Sequence, residues 1–121
     1  MSAVKVETGS QQTILLAEDL DDDIALLRRA FQKADVRNIQ VVKNGEQVID
    51  YLQSAGAYSD RKMYPFPAVL LLDLKMPRKS GLEVLEWVRS QESIRRLPIV
   101  AITSSQDIEV VNRAYDLGIN S

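Results

Sequence analysis

Apolar residues along the chain fall into two patterns that take turns. Short apolar runs recur at residues 13–17 (TILLA), 39–43 (IQVVK), 68–74 (AVLLLDL) and 99–103 (IVAIT). Runs of this length are too short to cross a membrane. Having no polar face of their own, they suit strands covered on both sides, as in parallel sheets with helices above and below. Between them the apolar positions change to helical spacing. The first set is Ile24, Leu27, Phe31 and Ala34, and the second Val48, Ile49, Leu52 and Ala55. The third is Leu82, Val84, Leu85 and Val88, and the fourth Ile108, Val111, Tyr115 and Leu117.

Punctuation residues support these elements. Asp21, Asp22 or Asp23 can cap the first helix, and the remaining carboxylates sit favourably on its positive end. Asn44 followed by Gln47 predicts an N-cap and capping box for the second helix, with Gly56 as its stop. Ser80 and Glu83 form a second capping box, launching a helix that runs to about Gln91. Ser104 or Ser105 caps the last helix and Gly118 ends it. Residues 57–67 read as a long loop with two prolines and three aromatics, and residues 1–12 as a loose polar lead-in.

Four strands alternating with four helices predict a doubly wound α/β fold with right-handed crossovers. The flavodoxin-like order 2-1-3-4 suits a chain this small, and residues 13–121 form the one domain. In that order the carboxyl ends of the first and third strands flank the switch point, where open α/β sheets bind ligands. Glu18 and Asp19 follow the first strand, and Asp73 closes the third. A lone strand-end Asp is more often a turn or cap residue, and an acidic run alone is more often a helix start. Convergence in one cleft changes both readings.

Composition narrows the chemistry. The 121 residues contain no Cys and no His, which removes disulfides, thiolate sites, imidazole catalysis and the usual zinc ligands. A net charge of -2 gives no reason to expect nucleic acid or an anionic membrane as a partner. The start of the chain has no basic region followed by an apolar one, so a cytoplasmic location is expected. What remains is carboxylates, hydroxyls, lysines and backbone. Three carboxylates in one cleft repel each other, and a divalent cation resolves the repulsion. All-oxygen ligands with open positions suit magnesium or manganese. A carboxylate beside such an ion can attack phosphorus to give an acyl phosphate. Thr103 at the end of the fourth strand would place a hydroxyl donor nearby.

The pair Glu18-Asp19, the run LLLDLKMPRKSG around Asp73 and the Thr103-Ser104 pair resemble the receiver domain of response regulators in His-to-Asp phosphorelays. The likeness runs from about residue 13 to residue 121. The loop at residues 57–67 more weakly resembles stand-alone receivers that pair with phytochrome-like kinases. The resemblance implies that Asp73 is the phosphoacceptor. Glu18, Asp19, Asp73 and the main-chain carbonyl of Lys75 would hold Mg2+ or Mn2+, Glu18 through water if not directly. Thr103 would be the switch hydroxyl, with small Ser104 leaving room for a phosphodonor, and Met76 and Pro77 would shape the site loop. The implied partners are a sensor histidine kinase or phosphotransfer protein and a second copy of the chain. The only reaction implied is the domain's own phosphorylation and dephosphorylation, not enzymatic turnover of another substrate.

The resemblance also sets a departure. Receivers carry a lysine after a fifth strand, and the sequence ends at Ser121, three residues past Gly118, so no residue here fills that role. The fifth strand and last helix are missing from these 121 residues, which would leave the fourth strand an apolar edge, and the expectation is that the natural chain runs on past Ser121. Exchange of that edge between chains is the alternative. Other classes fit less well. A calcium loop starting at Asp19 would need Gly and Glu where Ile24 and Ala30 stand. An Asp-nucleophile phosphatase would need an acid where Lys75 stands, and neither a dinucleotide fingerprint nor a phosphate-binding P-loop is present. A receiver-like interaction module that is never phosphorylated remains the second reading.

Overall fold

Strands β1 (Ile14–Ala17), β2 (Ile39–Val42), β3 (Val69–Asp73) and β4 (Ile99–Ile102) form one parallel sheet in the order β2-β1-β3-β4. They alternate with helices α1 (Asp21–Lys33), α2 (Gly45–Gln53), α3 (Gly81–Ser90) and α4 (Ile108–Asp116). The computed structural model describes residues 12–102 and 108–118. Strand order and alternation are those the apolar pattern predicts.

Register carries the site. Ala17 pairs with Val42 on one side and Leu72 on the other, and Asp73 pairs with Ile102. Residues Glu18, Asp19 and Asp73 therefore leave adjacent strands at the same level. Because strand side chains alternate, Leu15, Ala17, Leu70, Leu72 and Ile99 share one face. They form the main core with Val48, Tyr51 and Leu52 of α2 and with Val84, Leu85 and Val88 of α3. Full burial of each large apolar side chain stabilises the fold by roughly 1.5–3 kcal/mol. Leu16 of β1 and Ile24 of α1 are buried outside that cluster, and Leu16, between Leu15 and Ala17, belongs to the opposite face of the sheet.

The helix boundaries correct several expectations. Helix α1 begins at Asp21 itself, and Leu20 is its N-cap without a side-chain hydrogen bond. The three acids thus lie in the first turn, favoured by the helix dipole, rather than capping it. Ala34 falls past the helix end and is exposed, so it is not part of the inner face. On α2, Asn44 accepts from the Gln47 N–H at 2.9 Å as expected, but the Gln47 side chain reaches the Lys43 N–H at 2.7 Å. The capping box is therefore displaced by one residue. The helix stops at Ser54, left-handed at φ 58, and Gly56 opens a short 3-10 turn instead of ending α2. The α3 capping box is as predicted. On α4, Tyr115 points outward at 61% exposure while Ala114 is buried, because the packing stripe is rotated from the predicted one. Ser104, Ser105 and the side chains of Ile108 and Val111 lie outside the described residues.

Residues 57–67 are far more ordered than a loop signal suggests. Tyr51, on α2, is fully buried, and its hydroxyl donates to the Pro65 carbonyl at 2.8 Å. Tyr58 and Tyr64 pack on it and on each other at ring distances of 5.1–5.9 Å. Arg61 donates to the carbonyls of Tyr51, Leu52 and Tyr64 at 2.9–3.0 Å and lies against the Tyr51 and Phe66 rings. One guanidinium thus satisfies the Leu52 carbonyl at the end of α2, adds a second donor to that of Tyr51, and ties the loop to both.

Candidate functional site

The sheet brings together what sequence places 55 residues apart. Glu18, Asp19 and Asp73 each offer a carboxylate oxygen, and these oxygens lie within 4.8 Å of one another. Glu18 is only 3% exposed, whereas Asp19 and Asp73 are half-buried. The Glu18 carboxylate accepts the Leu20 N–H at 3.2 Å, and the Asp73 carboxylate accepts the Lys75 N–H at 3.0 Å. Each acid is therefore oriented by the backbone two residues downstream, leaving its other oxygen for the cleft.

The electrostatics follow from crowding. Burial pushes the Glu18 carboxyl up to about 7, against the opposing Leu20 N–H, and the charge of Asp73 and a hydrogen bond to it push the same way. Burial also raises Asp73, helped by the charges of Asp19 and Asp23 and opposed by the Lys75 N–H. Carboxyls crowded together and buried in this way make a site where positive charge is favoured. A divalent cation supplies it with oxygen ligands of the right kind. The residues present can hold a metal ion.

The loop after β3 wraps tightly around the site. Leu74 and Met76 are buried, while Lys75 and Pro77 are exposed. The Gly81 N–H donates to the Leu74 carbonyl at 3.2 Å, and a Cβ on Gly81 would overlap the main chain of Asp73 and Leu74. At the loop's far end, a Cβ on Gly45 would overlap the Lys79 carbonyl. Arg78, left-handed at φ 70, donates its Nε to Glu46 at 2.8 Å. Neither Gly45 nor the Arg78–Glu46 pair stood out in the sequence. An Asn-Gly pair before a helix signals a cap, and only the tertiary fold shows what packs on its glycine. Thr103 and Ser104, the predicted switch hydroxyl and its neighbour, lie outside the described residues.

A family model, response regulator receiver domain, matches residues 14–121. The chain belongs to that family. Its sequence is 30% identical over 115 residues to the response regulator Rcp1 of Synechocystis sp., covering 94% of this chain and 76% of that one. Among solved structures, the fold is similar to response regulator RPA3017 in red light signalling of R. palustris. That match has a TM-score of 0.83 at 36% identity over 90% of this chain and 77% of the other. It is similar as well to the phosphorylated cyanobacterial phytochrome response regulator RcpA, with a TM-score of 0.82 at 32% identity over 90% and 76% of the two chains. Rcp1 has also been solved in a Mn2+-bound form. The receiver fold, the acidic cluster and these relatives agree that the chain is a phosphoacceptor signalling switch. Among the described residues, no helix is long and apolar enough to cross a membrane.

Proposed function

We propose that Asp73 is the phosphoacceptor and that the donor is a phosphohistidine on a sensor kinase or phosphotransfer protein. The observation that carries this reading is the meeting of three carboxylates at two adjacent strand ends, with Asp73 half-buried among them. An Asp73 oxygen attacks phosphorus as the bond to the donor imidazole breaks, leaving an acyl phosphate on the protein and a neutral imidazole on the donor. Glu18 and Asp19, with Asp73 and the Lys75 carbonyl, are the residues that would hold Mg2+. The ion supplies neutralisation of the phosphoryl oxygens as charge shifts onto them.

The backbone assists the chain's own groups. The Lys75 N–H fixes one Asp73 oxygen, so that the other faces the incoming phosphorus. The buried Glu18 resists ionising beside Asp73, which keeps the pair from repelling the cation-ready geometry apart. New phosphoryl charge would draw the Thr103 hydroxyl inward and shift the population of states presented by the surface around α4. Output is then a change in partner affinity, with a second copy of the chain among the candidate partners, in the cytoplasm where such kinases expose their donors.

The test is incubation with Mg2+ and acetyl phosphate, followed by intact mass. One phosphoryl adduct that disappears in Asp73→Asn is expected. No adduct under conditions where the protein is folded and binds Mn2+ would instead favour an interaction module that is not phosphorylated. An adduct that persists in Asp73→Asn places the acceptor elsewhere.

A further inference from the structure

We propose that the first turn of α2, through Gly45 and Glu46, is a positioning element for the acceptor loop, acting on the metal site without touching it. This rests on the reading of Asp73 and the Lys75 carbonyl as parts of that site. Residues 74–80 link the acceptor to α3 and are clamped at both ends by glycines. At the near end, Gly81 lies against the main chain of Asp73 and Leu74. At the far end, Gly45, buried at the start of α2, lies against the Lys79 carbonyl so closely that any side chain would displace it.

Between these clamps the loop makes one conformationally costly residue. Arg78 is left-handed at φ 70, a region in which only glycine rests without penalty. What accompanies that conformation is a fork of contacts onto one Glu46 oxygen, from Nε at 2.8 Å and from a terminal nitrogen at 2.6 Å. Arg78 and Glu46 side chains are 65% and 50% exposed, so the pair contributes little to global stability. Its geometric effect is larger than its energetic one. It fixes the loop three residues from Lys75, in a segment whose backbone supplies both the N–H that orients Asp73 and the carbonyl offered to the metal.

The experiment is a charge-exchange cycle read on the metal site. Glu46→Lys, Arg78→Glu and the double exchange are compared with the starting protein. The readouts are Mn2+ affinity by electron paramagnetic resonance, the rate of adduct formation with acetyl phosphate, and thermal midpoint. Each single exchange should weaken Mn2+ binding severalfold, up to about fivefold, and slow adduct formation, with only a small change in midpoint. The double exchange should restore affinity to within about twofold, as expected of a directly coupled pair. Gly45→Ala should weaken binding at least as much as either single exchange. If that variant fails to fold, the exchange cycle decides alone.

Single exchanges that bind Mn2+ like the starting protein overturn the proposal. So does a double exchange no better than the singles, because the loss then comes from charge near the acids and not from the pair. If the starting protein takes no phosphoryl group yet Mn2+ affinity follows the cycle, the phosphoacceptor reading fails and the positioning role stands.

Discussion

Glu18 and Asp73 bring carboxyl oxygens within 4.8 Å of each other across the ends of β1 and β3, and burial pushes the Glu18 carboxyl up to about 7, so that it keeps its proton to near neutral pH. The unfolded chain releases that proton near 4.5. The associated stability is thus fully present below the lower value and is lost as pH rises through the upper one. In chelator, unfolding free energy should fall between about pH 5 and pH 7.5 by on the order of 1–3 kcal/mol. Glu18→Gln should flatten that slope. Millimolar Mg2+ should flatten it too, because the cation takes the place of the proton and binds more tightly as pH rises. Urea titrations across this range decide the matter, and a slope of opposite sign defeats the assignment.

Asp73→Asn tests the cluster from the stability side. The amide keeps an acceptor for the Lys75 N–H while removing one of three crowded charges. The variant should therefore fold, with a thermal midpoint equal to or a few degrees above that of the starting protein. The rise in midpoint produced by added Mn2+ should shrink, since one ligand has lost its charge. Thermal scans with and without Mn2+ measure both effects. A large drop in midpoint without metal would mean that Asp73 is a structural carboxylate.

Much of this fold is legible in the sequence, because strands buried on both faces leave runs that nothing else explains. Each predicted strand falls within one or two residues of the observed one, alternation gives the doubly wound class, and the shortness of the chain selects the observed order 2-1-3-4. The meeting of three carboxylates was legible for the same reason, since Glu18, Asp19 and Asp73 sit where runs end. What sequence hides is side chains that act across elements. Arg61 reads as one cation in a polar loop, yet it organises residues 57–67 through carbonyls on two segments. Tyr51 falls outside the predicted inner face of Val48, Ile49, Leu52 and Ala55, and only packing shows that it is buried with Leu52. Tyr115 shows the reverse, an apolar position on a strong helical pattern that the fold leaves in solvent.

Arg61 gives a prediction with a defined magnitude. Its guanidinium donates to the carbonyls of Tyr51, Leu52 and Tyr64, of which Tyr51 also accepts the Ser54 N–H, and it rests on two rings. Arg61→Ala should cost about 2–3 kcal/mol, the scale of charge-assisted hydrogen bonds lost with their acceptors left half-buried. Arg61→Lys should recover less than half, because an ammonium cannot span the three carbonyls as the planar fork does. Urea denaturation gives the values. Mn2+ affinity should stay unchanged in both variants, since the loop lies away from the acidic cluster.

Arg89 is the corresponding tie for α4. Its guanidinium donates to the carbonyls of Arg95 and Leu97, which lead into β4, and to that of Gly118 just past α4, at 2.7–2.9 Å. Arg113 adds an exposed ion pair to Glu86 at 3.1 Å, worth little alone. Arg89 thus holds the C-terminal end of the helix that follows Thr103 and Ser104 in the sequence. Arg89→Ala should loosen α4 before it loosens the sheet. Hydrogen exchange at residues 114–118 should quicken by about tenfold or more while β1 and β3 keep their protection, the pattern of a local opening rather than global unfolding. Arg113→Ala should change exchange there only slightly. Equal acceleration in β1, β3 and α4 would show that Arg89 supports the whole domain, and its role as the tie for α4 would fall.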